Sequence, residues 1–214
     1  MKRAPGRGLF VTIEGLDFSG KSTLVGNLKR ALADAGCRAH FTREPGGTPV
    51  AERIREIVLD PAAEMDDRTE AYLYAAARAD HTRGVILPRL ARGETVVCER
   101  YLDSSLAYQG AGRGLGIEAV RRLNALAATL VPDRTFYLRL DAAERERRAL
   151  ERGEPDRLEA AGREFTARVE AAFDALAARE PQRIRVLDAT LPPDELVRKV
   201  LTCLAARPEQ RETD

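Results

Sequence analysis

The sequence predicts an α/β protein built on one five-stranded parallel sheet with helices on both faces. Three observations predict it. Short runs of β-forming residues recur at 9–14, 37–42, 95–99, 134–140 and 183–187. Amphipathic stretches of helical length separate these runs, and strand–helix alternation implies crossover connections and parallel pairing. The first run, Leu9-Phe10-Val11-Thr12-Ile13-Glu14, is apolar almost throughout, as a strand buried on both faces must be.

Each element has a local reason. Residues 15–20 form a glycine-bounded loop, and residues 21–35 read as a helix closed by Gly36. A weaker strand at 37–42 runs into the turn Arg43-Glu44-Pro45-Gly46-Gly47. Thr48 then caps a helix whose first residue is Pro49, where a missing N–H costs nothing. Residues 60–66 are an acidic loop. Asp67-Arg68-Thr69-Glu70 reads as a capping box that opens a long helix to about Arg83. Pro88 kinks or restarts that helix, and Gly93 ends it. Beyond the strand at 95–99, helices are expected at 117–130, 142–151, 163–179 and 193–206, interleaved with the last two strands. No repeat, linker or low-complexity stretch interrupts the pattern. The reading is therefore one domain over 1–214, with a hinged segment at 148–162 and frayed termini at 1–8 and 207–214.

Composition narrows the function classes. The 214 residues include 35 basic and 34 acidic side chains, for a net charge of +1. That balance argues against nucleic-acid binding through a broad positive field. Hydrophobic residues at 44% and charged residues at 32% suit a packed core. No apolar run is long enough to span a bilayer, and no h-region precedes a cleavage site. Cys37, Cys98 and Cys203 are too few and too scattered for a disulfide framework or a zinc site, so a reducing, cytoplasmic setting is expected. Of the basic residues only Lys2, Lys21, Lys29 and Lys199 are lysine; the other 31 are arginine. A lysine at a chemically demanding position stands out against that bias.

Lys21 is such a lysine. Gly15-Leu16-Asp17-Phe18-Ser19-Gly20-Lys21-Ser22 matches G-x-x-x-x-G-K-[ST] in full, between a buried strand and a helix. Glycines let backbone N–H groups turn inward around phosphate oxygens, and the helix that follows aims its positive end at the same anion. Lys21 reaches the β- and γ-phosphates, and Ser22 supplies an oxygen for Mg²⁺. Random draws from this composition give roughly 0.002 matches per chain, so a chance glycine turn is a poor account. The motif makes the predicted fold a P-loop NTPase three-layer fold. It implies nucleoside triphosphate binding and leaves switches, motors and kinases open.

The other strand ends choose among these. The third strand closes in Glu99-Arg100-Tyr101, putting a carboxylate for Mg²⁺ and a guanidinium fork beside the phosphate loop. The second strand ends in Thr42-Arg43-Glu44, with another arginine at the same rim. Two arginines outside the triphosphate loop suggest a second phosphorylated ligand, and hence transfer between nucleotides. Tyr74 and Arg78 lie four residues apart on one helix face, where a flat ring and a planar donor suit a pyrimidine. The plainer alternative is a core tyrosine beside a surface ion pair. His81 is read as structural. The charge run at 144–157 is read first as a solvated helix face, broken by Gly153 and Pro155 into a hinged loop.

With Glu14, the phosphate loop through Thr23, residues 42–48, 72–78, 97–114 and 148–159, the sequence closely resembles the thymidylate (dTMP) kinases, over roughly 9–190. The run Glu99-Arg100-Tyr101-x-x-Ser104-Ser105-x-Ala107-Tyr108-Gln109 is the most specific segment. The resemblance implies that residues 15–23 bind ATP with Mg²⁺, and that Arg43 and Arg100 hold the dTMP phosphate. It implies that Asp17 meets the sugar hydroxyl, and that Tyr74 takes the position of a phenylalanine that stacks on thymine. Arg78 would donate to a thymine carbonyl, while Ser105, Tyr108 and Gln109 line base and sugar. In the lid, Arg148 would stack on adenine, and Arg152 and Arg157 would neutralise charge on the transferred group. A homodimer is also implied.

Three further positions depart from the family pattern. Phe18 stands where some members carry an arginine in the phosphate loop, so the catalytic charge is expected from the lid, as in the bacterial subtype. Leu150 replaces a third lid arginine. Glu99 replaces the usual aspartate, which implies a role toward Mg²⁺ through a water. A kinase for dUMP, UMP or a modified pyrimidine, and a nucleotide-binding regulator without turnover, remain the alternative readings.

Overall fold

The computed structural model describes residues 6–127, 130–151 and 162–205. All five expected strands form: β1 (Phe10–Glu14), β2 (Ala39–Arg43), β3 (Thr95–Glu99), β4 (Arg134–Arg139) and β5 (Ile184–Asp188). They pair in parallel in the order β2-β3-β1-β4-β5. Every residue of β1 is buried, as its apolar run requires. In register, Ile13 faces Glu99 across the β1–β3 pair, so the carboxyl ends of these strands open at the same rim. Strand order reverses here, which is where open α/β sheets leave a crevice for ligands.

Both faces are covered. Val11, Ile13, Phe136 and Leu138 pack with Leu24 and Leu28 of α1 (Lys21–Asp34) and with Leu196 and Val200 of α9 (Pro193–Ala205). On the other side Tyr137 stacks on Phe173 of α8 (Arg163–Arg179), and Phe10 and Cys98 meet Ile86, Leu90 and Tyr101. Thr48 caps α2 (Pro49–Leu59) by accepting from the Ala51 N–H at 3.1 Å, as its sequence position demands.

Several expectations are corrected. The cap of α3 (Asp67–His81) is Asp66, whose carboxylate accepts from the N–H groups of Arg68 and Thr69. The capping box at Asp67 therefore does not form. Glu70 instead turns inward, fully buried, and accepts from Gln109 and Arg113. Beyond His81 the chain widens into a π-helical stretch, Thr82–Ile86, before α4 (Leu87–Ala91). Pro88 lacks the N–H that would continue the ladder, and the wide turns lie directly before it.

A helical segment also exists where none was read: α5 (Leu102–Ser105) continues as a π-helical stretch, Leu106–Gly112. Gly110 and Gly112 disguise it, and Gly112 is required by packing, because a Cβ there would lie 2.6 Å from the Phe165 ring. α6 (Ile117–Ala127) and α7 (Ala142–Leu150) complete the described helices. Arg7 pairs with Asp133 at 2.7 Å and the Gly8 N–H donates to the Leu90 carbonyl, while residues 1–5 and 207–214 of the termini expected to fray lie outside the described residues. Among the described residues, no helix is long and apolar enough to cross a membrane.

Candidate active site

The loop after β1 is shaped by backbone before side chains. A Cβ on Gly15 would come within 2.7 Å of the Leu138 carbonyl, so only glycine fits between β1 and β4. Gly20, at φ 86°, caps α1 without any side-chain hydrogen bond, leaving the first N–H groups of the helix for an anion. Phe18 takes a left-handed φ of 65° inside the same loop. Such a conformation costs energy in a non-glycine residue and concentrates at ligand clamps. Lys21 is buried; its ammonium donates to the Leu16 carbonyl at 2.8 Å and stands 3.9 Å from the Asp17 carboxylate. Burial, reinforced by the Arg100 charge, lowers its pKa to about 8.

Ser22 and Glu99 meet as their motifs require. The Ser22 hydroxyl donates to the Glu99 carboxylate at 2.9 Å. A hydroxyl and a carboxylate beside a phosphate cradle are hard oxygen donors of the kind Mg²⁺ takes, with phosphates and waters filling the remaining shell. The residues present therefore fit that ion. Among the described residues no cluster of histidine, cysteine, aspartate and glutamate forms an all-protein metal cage.

Across the crevice, Arg100 is the centre of the acceptor half. It also has a left-handed φ, 63°. Its guanidinium donates to the Gly15 carbonyl at 2.9 Å, to Ser104 and to the Asp17 carboxylate, and lies 5.1 Å from the Tyr108 ring centre. Tyr108 donates its hydroxyl to the other Asp17 oxygen at 3.1 Å. Burial opposes ionisation of Asp17, but Arg100 and Lys21 outweigh it and hold its pKa below the ordinary aspartate value. The carboxylate is thus charged at neutral pH.

One cavity of about 600 Å³ joins the two halves. Phe18, Lys21, Ser22, Thr23 and Glu99 line the loop end; Arg43, Tyr74, Arg78, Ser105, Tyr108 and Gln109 line the other, with Asp17 and Arg100 between. Ser105 lines the cavity, and its hydroxyl, itself enclosed, has no hydrogen-bond partner among the described residues. Arg43 is half exposed and pairs with Glu52 at 2.8 Å. Arg78 is not the surface ion pair that the plainer alternative offered: it is buried, with Glu44 as its carboxylate partner at 2.8 Å. His81 bridges Glu44 and Thr42, in keeping with a structural role.

Gly15, Leu16 and Ser19 shape the loop from behind without lining the cavity. Arg148 lies in the last turn of α7, within the helix expected over 142–151, and residues 152–161 of the expected hinged segment lie outside the described residues. Its guanidinium donates to the Phe18 and Ala189 carbonyls, at the edge of the phosphate loop. Arg152 and Arg157 lie outside the described residues.

Sequence reasoning missed Arg55, Ser104 and Glu14. Arg55 lines the cavity and donates to the Pro45 carbonyl at 3.0 Å. The available signal was its face: Arg55 shares a helical stripe with buried Ala51 and Val58, where an arginine is out of character. Glu14, fully buried at the end of β1, accepts from the Tyr101 N–H at 2.8 Å and from the Ser104 hydroxyl, fixing the turn that carries Arg100. An acid ending an almost wholly apolar strand was the clue.

Burial, with the Asp103 charge nearby, raises the Glu14 pKa to about 7. The folded state therefore binds this proton more tightly than the unfolded chain, and its contribution to stability falls as pH rises from the usual glutamate value through about 7. Glu14→Gln keeps an acceptor for Tyr101 and removes the proton linkage. Its Tm relative to the parent should rise from pH 5 to pH 8 in thermal melts, and an unchanged difference would refute the linkage.

Comparison with known proteins agrees with this geometry. The family model described as thymidylate kinase matches residues 13–200. The chain is 50% identical over 202 residues to a thymidylate kinase of Deinococcus radiodurans, covering 94% of this chain and 98% of that protein. It is 50% identical to one of Leifsonia xyli subsp. xyli, with 94% and 96% covered. A crystal structure of thymidylate kinase from Ehrlichia chaffeensis superposes with a TM-score of 0.76 at 30% identity, covering 92% of this chain and 98% of that one. On the phosphate loop, the facing arginine-bearing rim and these likenesses together, the chain belongs to the thymidylate kinase family.

Proposed function

We propose that this protein transfers the γ-phosphoryl group of ATP to dTMP, giving ADP and dTDP for dTTP synthesis. The observation that carries the reading is a crevice with a glycine phosphate cradle at one end and the guanidinium groups of Arg43, Arg78 and Arg100 at the other. ATP sits on residues 15–23 with Arg148 near its base. The dTMP phosphate lies against Arg43 and Arg100, its sugar near Asp17 and Tyr108, and its base against Tyr74, Arg78, Ser105 and Gln109.

The acceptor phosphate oxygen is already ionised near neutral pH, so no strong general base is needed. Catalysis is alignment of donor and acceptor plus neutralisation of charge on the transferred group. Lys21 and Arg100 supply fixed positive charge, and Asp17 orients the acceptor. Ser22, and Glu99 through a water, would hold Mg²⁺, which neutralises phosphate charge when bound. Phe18 brings no cation to the loop, so the remaining charge is assigned to Arg152 and Arg157, the arrangement of the bacterial lid-arginine subtype.

A homodimer and a cytoplasmic setting complete the reading. The packed pair α2 and α3 carries exposed Val50, Ile57 and Tyr72, apolar surface suited to a second subunit. Tyr74, standing for phenylalanine, keeps a related pyrimidine monophosphate as the second reading. ADP formation from ATP with dTMP, dUMP, dCMP and UMP in turn tests both. dTMP is expected to give the highest kcat/KM. A preference for another monophosphate favours the second reading, and ATP binding without ADP formation from any of the four overturns both.

A further inference from the structure

We infer that Asn124, which does not line the cavity, is a positioning residue that sets base discrimination by holding the Arg78 guanidinium in one orientation. The inference rests on the reading above that Arg78 donates to the pyrimidine. Arg78 is among the largest fully enclosed side chains of the protein, yet it borders the cavity. Three elements grip it. Its Nε donates to Glu44 at the end of β2 at 2.8 Å, one terminal nitrogen donates to the Tyr101 carbonyl at 3.1 Å, and the other donates to the Asn124 side-chain carbonyl on α6. A guanidinium has more N–H groups than these bonds use, and the spare ones belong to the terminal nitrogens.

The amide of Asn124 has only one orientation that serves this purpose. Its NH₂ group donates to the Val120 carbonyl one turn earlier on α6 at 2.9 Å, which turns its oxygen toward Arg78. Asn124 is itself 1% exposed and cannot exchange that partner for water freely. Glu44 is fixed in turn by His81, whose Nδ1 is 3.0 Å away and whose Nε2 is 2.7 Å from the Thr42 hydroxyl. Glu44 supplies the charge partner. Asn124 supplies the second lateral hold, a neutral acceptor that stops the fork from swinging about its Nε bond.

Orientation matters because Arg78 offers donors only. A carbonyl of thymine or uracil satisfies a fixed N–H, whereas the amino group of cytosine brings donor against donor. A rigid site enforces that mismatch; a guanidinium free to swing relaxes it. Asn124 thereby acts on the dTMP:dCMP preference without touching either nucleotide.

The test measures kcat and KM with ATP against dTMP and dCMP for Asn124→Leu, Asn124→Asp and Arg78→Met, with Tm for each. Asn124→Leu should raise KM for dTMP and lower the dTMP:dCMP ratio of kcat/KM by about tenfold, with KM for ATP unchanged. Asn124→Ala gives the same readout if the leucine variant does not fold. Asn124→Asp keeps the acceptor and should keep the ratio, whatever its Tm. A lowered Tm with an unchanged ratio in the leucine and alanine variants overturns the inference. If Arg78→Met also leaves the ratio unchanged, the assignment of Arg78 to the base falls instead.

Discussion

Lys21→Ala is expected to abolish turnover, with kcat lower by about three orders of magnitude or more, in a protein that still folds. The ammonium lies at the start of α1, buried at the floor of the loop, bonded to the Leu16 carbonyl and near the Asp17 carboxylate. No other lysine approaches this loop in sequence, and the neighbouring cation, Arg100, is already engaged by Asp17, Gly15 and Ser104. Alanine is a good helix former at that position, so the loss should fall on chemistry rather than on α1. The measurement is steady-state ADP formation beside a thermal melt. Lys21→Arg should be nearly as damaging, because a guanidinium fork is wider than the pocket of a compact ammonium. That expectation fits a chain that uses arginine for most of its positive charge and keeps lysine here. A kcat within tenfold of the parent in Lys21→Ala would remove this residue from the reaction.

The legible parts of the molecule were those in which one local rule dominates. An almost wholly apolar run forced β1, and the Thr48-Pro49 pair forced the start of α2. The phosphate loop was legible because glycine spacing and a lysine carry their own chemistry. Tertiary demands overrode local signals elsewhere. Glu70 looks like half of a capping box, but Gln109 and Arg113 supply buried donors that draw it inward, leaving Asp66 to cap the helix. The helical segment after β3 was hidden by Gly110 and Gly112, whose reasons are the close approach of Ile117 to the first and of Phe165 and Val169 to the second. Arg43 and Arg100 were read as a pair, yet Arg100 is enclosed by Asp17, Gly15 and Tyr108, while Arg43 is half exposed beside Glu52. That difference in enclosure depends on which strand sits next to β1, and β3 rather than β2 does.

Arg100 should consequently carry more of the acceptor binding than Arg43. Arg100→Ala is expected to raise KM for dTMP by about a hundredfold and to lower kcat, with a small effect on KM for ATP. Two separable effects lie behind that number. The first is chemical. Arg100 is the strongest force keeping Asp17 ionised against desolvation, so its removal leaves a partly buried carboxylate with Lys21 as its main cationic neighbour. The pH at which Asp17 takes up a proton then rises, and activity in the variant should fall away at a higher pH than in the parent as the solution is acidified. The second is conformational. Residue 100 sits at φ 63°, which alanine tolerates poorly and glycine adopts readily. Arg100→Gly should therefore lose as much dTMP affinity as Arg100→Ala while melting at a higher temperature, a gap of about 1 kcal/mol in stability. Arg100→Lys keeps a charge without the fork and should recover part of the affinity. Equal KM values for dTMP in parent and Arg100→Gly would mean that the phosphate of the acceptor is held elsewhere, and the division of the crevice into donor and acceptor halves would have to be redrawn.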